Sequence, residues 1–564
     1  MVSRITQFVG REASAAATPM PGRSIDGWLI AALVIAVLAA LPILAVLFTA
    51  PSGGIEAISH LASTVLPRYT FNTALLMLMA GSLAAIVGSG CAWLVSACEF
   101  PGRRVLGWAL VLPLAVPAYI AAYIYADLLD FIGPVQSGLR ALTGWEAGDY
   151  SFPQVRSLGG GAFVLGIVLY PYVYLLARAA FAAQSRSQFK AARSLGASPT
   201  GAFFRVALPA ARPAIAGGLA LVLMEVLADF GVADYFAIPT FSTGIFRSWL
   251  AMGDKQAALK LAAIMLVFVI VLVALEASTR KGRSDSRDGL SAGASEPLVA
   301  LPPAGRILAM FACALPAVLG FLIPAVHLGW LAMSDPAISA AGDLATYMWG
   351  SARLGLATSL TCVVAALLLV FAKTRSKNRF TGAVIRVSTL GYALPGALLA
   401  VGLLAPLGAV DLAVSRLARD TFGYGGGLLL TGTSLILIYA LSVRFLTVAY
   451  NSVDGGMSKI PPNLDSAARL LGAGSGRVLA QIYAPLLRPS LLAAAALVFI
   501  DTVRELPATL ILRPFNLETL ATRTYRLASD ERLVEASIPA LILLAAGLLP
   551  VLLLSRVGRP KVSG

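Results

Sequence analysis

Ala191-Ala192-Arg193-Ser194-Leu195-Gly196 recurs 276 residues later as Ala467-Ala468-Arg469-Leu470-Leu471-Gly472. At the same offset Pro209 matches Pro485, Arg212 matches Arg488 and Pro213 matches Pro489. A weaker echo pairs Pro117 with Pro395, within a couple of residues of that shift. Small-residue helices often agree by chance. A glycine, an arginine and two prolines at one fixed shift agree by chance far less often, and a repeat outranks other signals when a fold is read. The period is half the chain, so the sequence reads as two fused, homologous halves.

Composition sets the solvent in which those halves fold. Of 564 residues, 58 % are hydrophobic and 13 % charged, against about a quarter charged in ordinary soluble domains. That excludes a soluble globular enzyme. The net charge of +15 is the Lys and Arg excess of cytoplasmic loops, not the footprint of a nucleic-acid partner. A spanning helix needs about 20 mostly apolar residues. Such runs occur at 28–50, 72–97, 105–128, 161–183, 213–236, 259–276, 307–333, 354–371, 383–407, 428–450, 489–512 and 536–554. The fold class is therefore an all-α membrane protein of about 12 transmembrane helices in two six-helix halves, related by an approximate two-fold axis along the membrane normal.

The expected divisions are a cytoplasmic tail over 1–27, a first half over 28–276, a linker over 277–305 and a second half over 306–564. The linker is rich in Ser, Gly, Pro and charge. The first apolar run follows Arg4, Arg11 and Arg23, lacks a small-residue cleavage site, and reads as a retained span. Twelve spans put both termini on one side. The basic stretches 280–287 and 373–379 make that side the cytoplasm, with Arg504 the basic residue left inside a span. Cys91, Cys98, Cys313 and Cys362 all lie in apolar runs and read as small hydrophobes. His60 and His327 stand alone, so no metal or disulfide framework is expected.

Each repeated segment falls between the fourth and fifth span of its half and is polar enough to lie outside the bilayer. It reads as a short amphipathic helix, a glycine turn, a second short helix, then proline where the next span starts, a place that tolerates the missing N–H. In the first copy Arg186, Lys190, Arg193 and Arg205 supply the polar faces, and Leu195, Phe203, Phe204 and Val206 the apolar contacts. Two such ordered elbows predict docking surfaces for another protein; helices lying on lipid headgroups are the alternative.

The spacing resembles the cytoplasmic EAA loop of permeases of binding-protein-dependent ABC importers: EAA, three residues, Gly, nine residues, Ile-x-Leu-Pro. The first copy is Lys190-Ala191-Ala192, Gly196, then Val206-Ala207-Leu208-Pro209. The second is Ser466-Ala467-Ala468, Gly472, then Ile482-Tyr483-Ala484-Pro485. The acidic residue is absent from both, and Ala484 stands in place of Leu. Over nearly the whole chain the resemblance is closest to fused, two-half permeases of ferric-iron importers. It is carried by 169–174, 223–231, 504–509 and 512–516. The resemblance implies a type I importer fold in a bacterial inner membrane. It also implies two copies of an ABC ATPase on the cytoplasmic side, a periplasmic iron-binding protein outside and ferric iron as cargo. ATP and Mg would reside on the ATPase, with no cofactor on this chain. Fused permeases for thiamine and other small solutes share the architecture.

No G-x-x-x-x-G-K-[ST] phosphate loop occurs in the chain, so any ATPase is a separate polypeptide and the chain is expected to be no enzyme. Charges inside a bilayer cost about 2.5–3.5 kcal/mol each on insertion scales and mark functional positions. The fifth span carries Glu225 and Asp229, four apart and so on one helical face. At the 276 offset the eleventh carries Asp501 and Glu505. These four form a candidate acidic translocation path, suited to transient contact with a hard cation; Asp234 and Tyr235 stand near its mouth. Structural pairing between the halves is the alternative role. Pro113, Pro117 and Pro395 are expected to kink spans. Loops 127–160 and 513–535 are long enough to meet a binding protein. A twelve-span secondary transporter is the rival class, with a basic turn at 101–104 as its only analogue. A membrane-embedded enzyme would need a nucleophile–base pair or metal triad that the spans do not show.

Overall fold

A computed structural model describes residues 27–557 except 51–60, 62, 147, 185, 282–298, 300, 335–342, 377, 424–427, 462–463, 465–467, 469 and 471. Most of the expected tail and linker, together with Ser466 and Ala467, lie outside the described residues. Among the described residues the chain is helical apart from its connections, with 11 helices long and apolar enough to cross a membrane, or 12 if one bent pair counts as a span.

The two halves repeat one packing unit. Leu66–Ala97, Leu158–Ala183 and Leu208–Ala228 pack on one another, as do Leu344–Arg375, Ser434–Met457 and Arg488–Arg504. The first helix of each half crosses to the other. Gly27–Thr49 lies on Leu344–Arg375, Arg379–Ser388 and Gly396–Phe422, while Pro303–Ala317 and Ile323–Ser334 lie on helices of residues 66–129. The exchange interlocks the halves. Apolar side chains such as Phe48, Ile86 and Leu308 face outward, as lipid contact requires. All four cysteines are buried, and burial pushes the Cys98 thiol, just past its helix, up to about 11.

Several expected spans differ in form. Pro117 and Pro395 do not kink the third and ninth spans; they break them. Each proline is extended, with ψ of 132° and 141°, after a 3-10 turn at Leu112–Ala115 or Gly391–Ala393 and before helices Ala118–Leu129 and Gly396–Phe422. Proline disfavours helical backbone at the residue before it, and the 3-10 turn absorbs the change. The fifth and eleventh spans stop early too, at Ala228 and Arg504. Asp229 and Glu505 are both extended (φ −64°, ψ 131°; φ −71°, ψ 127°), so the expectation that they share a helical face with Glu225 and Asp501 fails. Each leads instead into a short helix, Gly231–Tyr235 or Pro507–Leu512. Nor is Arg504 the lone basic residue in a span: Arg178, Lys260 and Arg444 lie within the helices Leu158–Ala183, Lys255–Lys281 and Ser434–Met457.

Candidate functional site

In the first elbow the helix Arg186–Ser194 ends at Gly196, whose φ of +88° turns the chain into Pro199–Ala202. The Ala197 N–H donates to Ala192 O at 3.1 Å, the six-to-one bond of a Schellman ending. In the second elbow Gly472 has φ +80° and the Ala473 N–H donates to Ala468 O at 3.0 Å. Left-handed backbone costs a residue bearing Cβ about 1–2 kcal/mol, which is why glycine stands at both turns. A π-helical turn follows each at the same offset, Phe203–Ala207 and Leu479–Tyr483.

The elbows are braced from different sources. In the first, Trp93 packs on Phe181, Phe189 and Phe203 with ring centroids at 5.4, 5.5 and 4.9 Å. In the second, Trp28 of the exchanged first helix donates to Ser475 Oγ at 3.1 Å and packs on Phe371 at 4.8 Å, which meets Tyr483 at 5.8 Å. Phe203 thus points inward, while Leu195, Phe204 and Leu470 are exposed. Lys190 lies in the first helix; Leu208 and Pro209 open the fifth span. Ile482 lies in the second π turn and Pro485 in Ala484–Leu486.

About 30 Å along the fifth span, at about 1.5 Å of rise per residue, the four candidate carboxylates meet. Glu225, Asp229, Asp501 and Glu505 line one cavity of about 210 Å³ between the halves. Two of them cap helices. Asp229 Oδ2 accepts from the N–H groups of Val232 and Ala233, both at 3.1 Å. Glu505 accepts from Ala508 N at 3.1 Å and from Thr509 N and Oγ1 at 3.0 Å. Carboxylates at helix N-termini satisfy donors the helix leaves open. The other two keep spare capacity. Glu225 accepts one bond, from Tyr392 Oη at 3.3 Å. Among the described residues no hydrogen bond to Asp501 is found.

Residues not expected from the sequence complete the cavity: Tyr119, Tyr172, Tyr392 and Arg444. Arg444 Nη1 stands 3.9 Å from Glu505 Oε1 and donates to Leu394 O at 3.4 Å. Arg504 Nη2 donates to Leu114 O at 3.0 Å, the carbonyl of a 3-10 turn in the opposite half. Weighing intramembrane basic residues as the acidic ones were weighed finds Arg444; aromatic residues in apolar runs carry no comparable signal.

Beyond the cavity, contacts from loops 127–160 and 513–535 join the halves. Arg156 reaches Asp130 at 3.4 Å and Glu531 at 3.5 Å, one from each half, and covers the Tyr235 ring at 5.0 Å. Tyr525 donates to Asp234 at 2.5 Å, again between halves. Asp127 and His327 pair at 2.6 Å beside them.

Residues 362–564 match the family described as binding-protein-dependent transport system inner membrane component. A probable molybdenum ABC transporter permease protein of Haloferax volcanii is 30 % identical over 226 residues, 38 % of this chain and 80 % of that protein. The chain belongs to this family. The permease is also 25 % identical to the Fe(3+)-transport system permease protein FbpB 2 of Haemophilus influenzae, over 86 % of its own length and 89 % of that relative. It is 26 % identical to the sulfate transport system permease protein CysT of Synechocystis, over 46 % of its own length and 91 % of that relative. Proteins of this family are transport components, not enzymes; they are multi-pass membrane subunits that work with an ATPase and a solute-binding protein.

Proposed function

We propose that this permease admits ferric iron delivered by a periplasmic binding protein across a bacterial inner membrane, driven by two ATPase copies docked on its elbows. One observation carries the cargo reading. Glu225 and Asp501 occupy equivalent positions of the two halves, face one cavity and keep unspent hydrogen-bonding capacity. Four carboxyl groups against two guanidinium groups make the lining rich in oxygen donors, which suit a hard cation. The match to an Fe(3+)-transport permease over most of both chains supports the same cargo.

Each half, 28–276 and 306–564, presents one elbow to one ATPase. The support is the shared Schellman turn, the shared π turn and exposed apolar tips at Leu195, Phe204 and Leu470. In this reading Gly196 and Gly472 shape the coupling loops whose motif residues run from Lys190, Ala191 and Ala192 to Leu208 and Pro209, and from Ser466, Ala467 and Ala468 to Ile482 and Pro485. Both elbows and both termini are then cytoplasmic. ATP and Mg stay on the ATPase. Helix Leu208–Ala228 runs unbroken from elbow to cavity, so closure of the ATPase pair moves the Asp229 cap and opens the mouth above.

A second reading, an oxyanion cargo, draws on the molybdenum and sulfate permeases among the relatives and on Arg444 and Arg504. It is the weaker one, because four carboxyl groups outnumber two guanidinium groups in the lining and Arg444 Nη1 already stands 3.9 Å from Glu505 Oε1. Vesicles holding the permease with its ATPase and binding protein decide between them. ATP-dependent uptake of radiolabelled ferric iron, undiminished by excess sulfate or molybdate, is the expected result. Uptake of either oxyanion without iron overturns the proposal.

A further inference from the structure

Tyr119 and Tyr123 stand one turn apart on Ala118–Leu129; Tyr119 lines the cavity of the four carboxylates, and Tyr123 packs between it and Tyr235. Their rings are 5.8 Å apart, and Tyr123 meets Tyr235 at 4.4 Å. Both side chains are buried, at 6 % and 2 % exposure, and neither hydroxyl has a hydrogen-bond partner among the described residues. A buried tyrosine hydroxyl normally finds a partner, because an unsatisfied one is costly. Tyr525 shows the ordinary outcome nearby, donating to Asp234.

The two orphaned hydroxyls are not scattered. The Tyr123 hydroxyl lies within electrostatic reach of Tyr119, Tyr235, Tyr525 and Asp234, and that of Tyr119 within reach of Arg504 and Glu505. The ring contacts of Tyr119 with Tyr123 and of Tyr123 with Tyr235 set them between the pair Asp234–Tyr525 and the carboxylates whose cavity Tyr119 lines. Gly231 lets its backbone approach Tyr119 closely: a Cβ there would sit 2.4 Å from Tyr119 Cβ.

We infer that Tyr119 and Tyr123 are contact residues for the cargo, a hydrated trivalent cation, on its way from the mouth to Glu225 and Asp501. Their phenol oxygens accept hydrogen bonds from the ion's water ligands when the mouth opens and lose them when it closes. A neutral oxygen suits a place where the ion passes without stopping, since a carboxylate there would hold it. This rests on the ferric-iron reading above.

The test uses the complete transporter in vesicles and reads iron carried per ATP hydrolysed. Tyr119→Phe and Tyr123→Phe delete only the hydroxyls. Tyr170→Phe is the control, because its hydroxyl is also buried without a partner but lies beside Cys91 and Cys313, not in the row of rings from Tyr119 to Tyr235. Iron uptake is expected to fall about tenfold in each of the first two variants, with binding-protein-stimulated ATP hydrolysis unchanged, while the control keeps wild-type uptake. If uptake and hydrolysis fall together, the hydroxyls serve the folding or coupling of the transporter and not the cargo, and the inference is overturned. It is overturned also if all three variants transport alike. Wild-type vesicles that carry no iron sink the cargo reading and this inference with it; wild-type vesicles that carry iron beside fully active Phe variants sink this inference alone.

Discussion

The two elbows are built from one pattern and joined to their spans in two ways. In the first, residues Thr200–Ala228 run on as a single apolar helical stretch. In the second, Ser475–Leu486 and Arg488–Arg504 meet at a bend of 75°. The prolines do not explain the difference, since Pro209 and Pro213 have their counterparts in Pro485 and Pro489. At the joint, Leu487 is buried where the first half has Ala211, and it sits beside Gly456, where a Cβ would lie 3.1 Å from Leu487 Cδ2. Turn chemistry is local and survives duplication; the angle of a joint depends on what packs against it and need not. Under the proposed docking of two ATPase copies, a symmetric input reaches the cavity through unlike levers.

That comparison breaks most visibly at the braces. Trp93→Ala removes the centre of the first aromatic cluster; Trp93 is half-buried, so the cost falls below the ~3–5 kcal/mol of truncating a fully buried tryptophan. The substitution should abolish retention of one ATPase copy on affinity purification. Trp28→Ala, which loosens only the second elbow, should spare that copy and lose the other. Loss of both copies, or of neither, in either variant would show that the elbows are not braced independently.

The carboxylates come next in size. Glu225→Gln and Asp501→Asn should each lower iron uptake about tenfold, and the pair together about a hundredfold, each factor of ten being about 1.4 kcal/mol. Equal single effects fit equivalent positions. A loss confined to one of them would locate the cargo contact in one half.

Gly196→Leu and Gly472→Leu each force a side chain into left-handed backbone, at about 1–2 kcal/mol. Among the described residues a Cβ on either glycine would meet nothing within 4 Å, so the strain is conformational alone and should be alike in both. ATP-driven uptake should drop about tenfold in each. A larger drop for Gly472 would sharpen the comparison by showing that the bent joint tolerates less distortion. The smallest effect belongs to Arg156→Ala. Its exposed ion pairs to Asp130 and Glu531 are worth about 0–1 kcal/mol and are screened by salt. Basal ATP hydrolysis without binding protein should rise less than about fivefold, and the rise should vanish at high salt.

Much of the candidate site was legible because intramembrane charge is costly and therefore conspicuous. Glu225, Asp229, Asp501 and Glu505 were found that way, and they share one cavity. The same rule applied to basic residues reaches Arg444. What misled was the period of four: it assumes an unbroken helix, whereas Asp229 and Glu505 turn their carboxylates to the open N–H groups of the next short helix. A residue able to cap competes with the helix it would otherwise continue. Tyr119, Tyr172 and Tyr392 were invisible, since a tyrosine in an apolar run looks the same whether it packs or lines a passage.

Sequence alone determined that this chain lives in a bilayer, that it is built twice from one plan, and where each plan turns at glycine and proline. Those properties follow from composition and from backbone preferences that act over a few residues. Tertiary structure decided which helices exchange between halves, where spans break, how steeply each elbow meets its span, and which polar groups face the cavity. These depend on packing between segments hundreds of residues apart, and short-range preference carries no record of that.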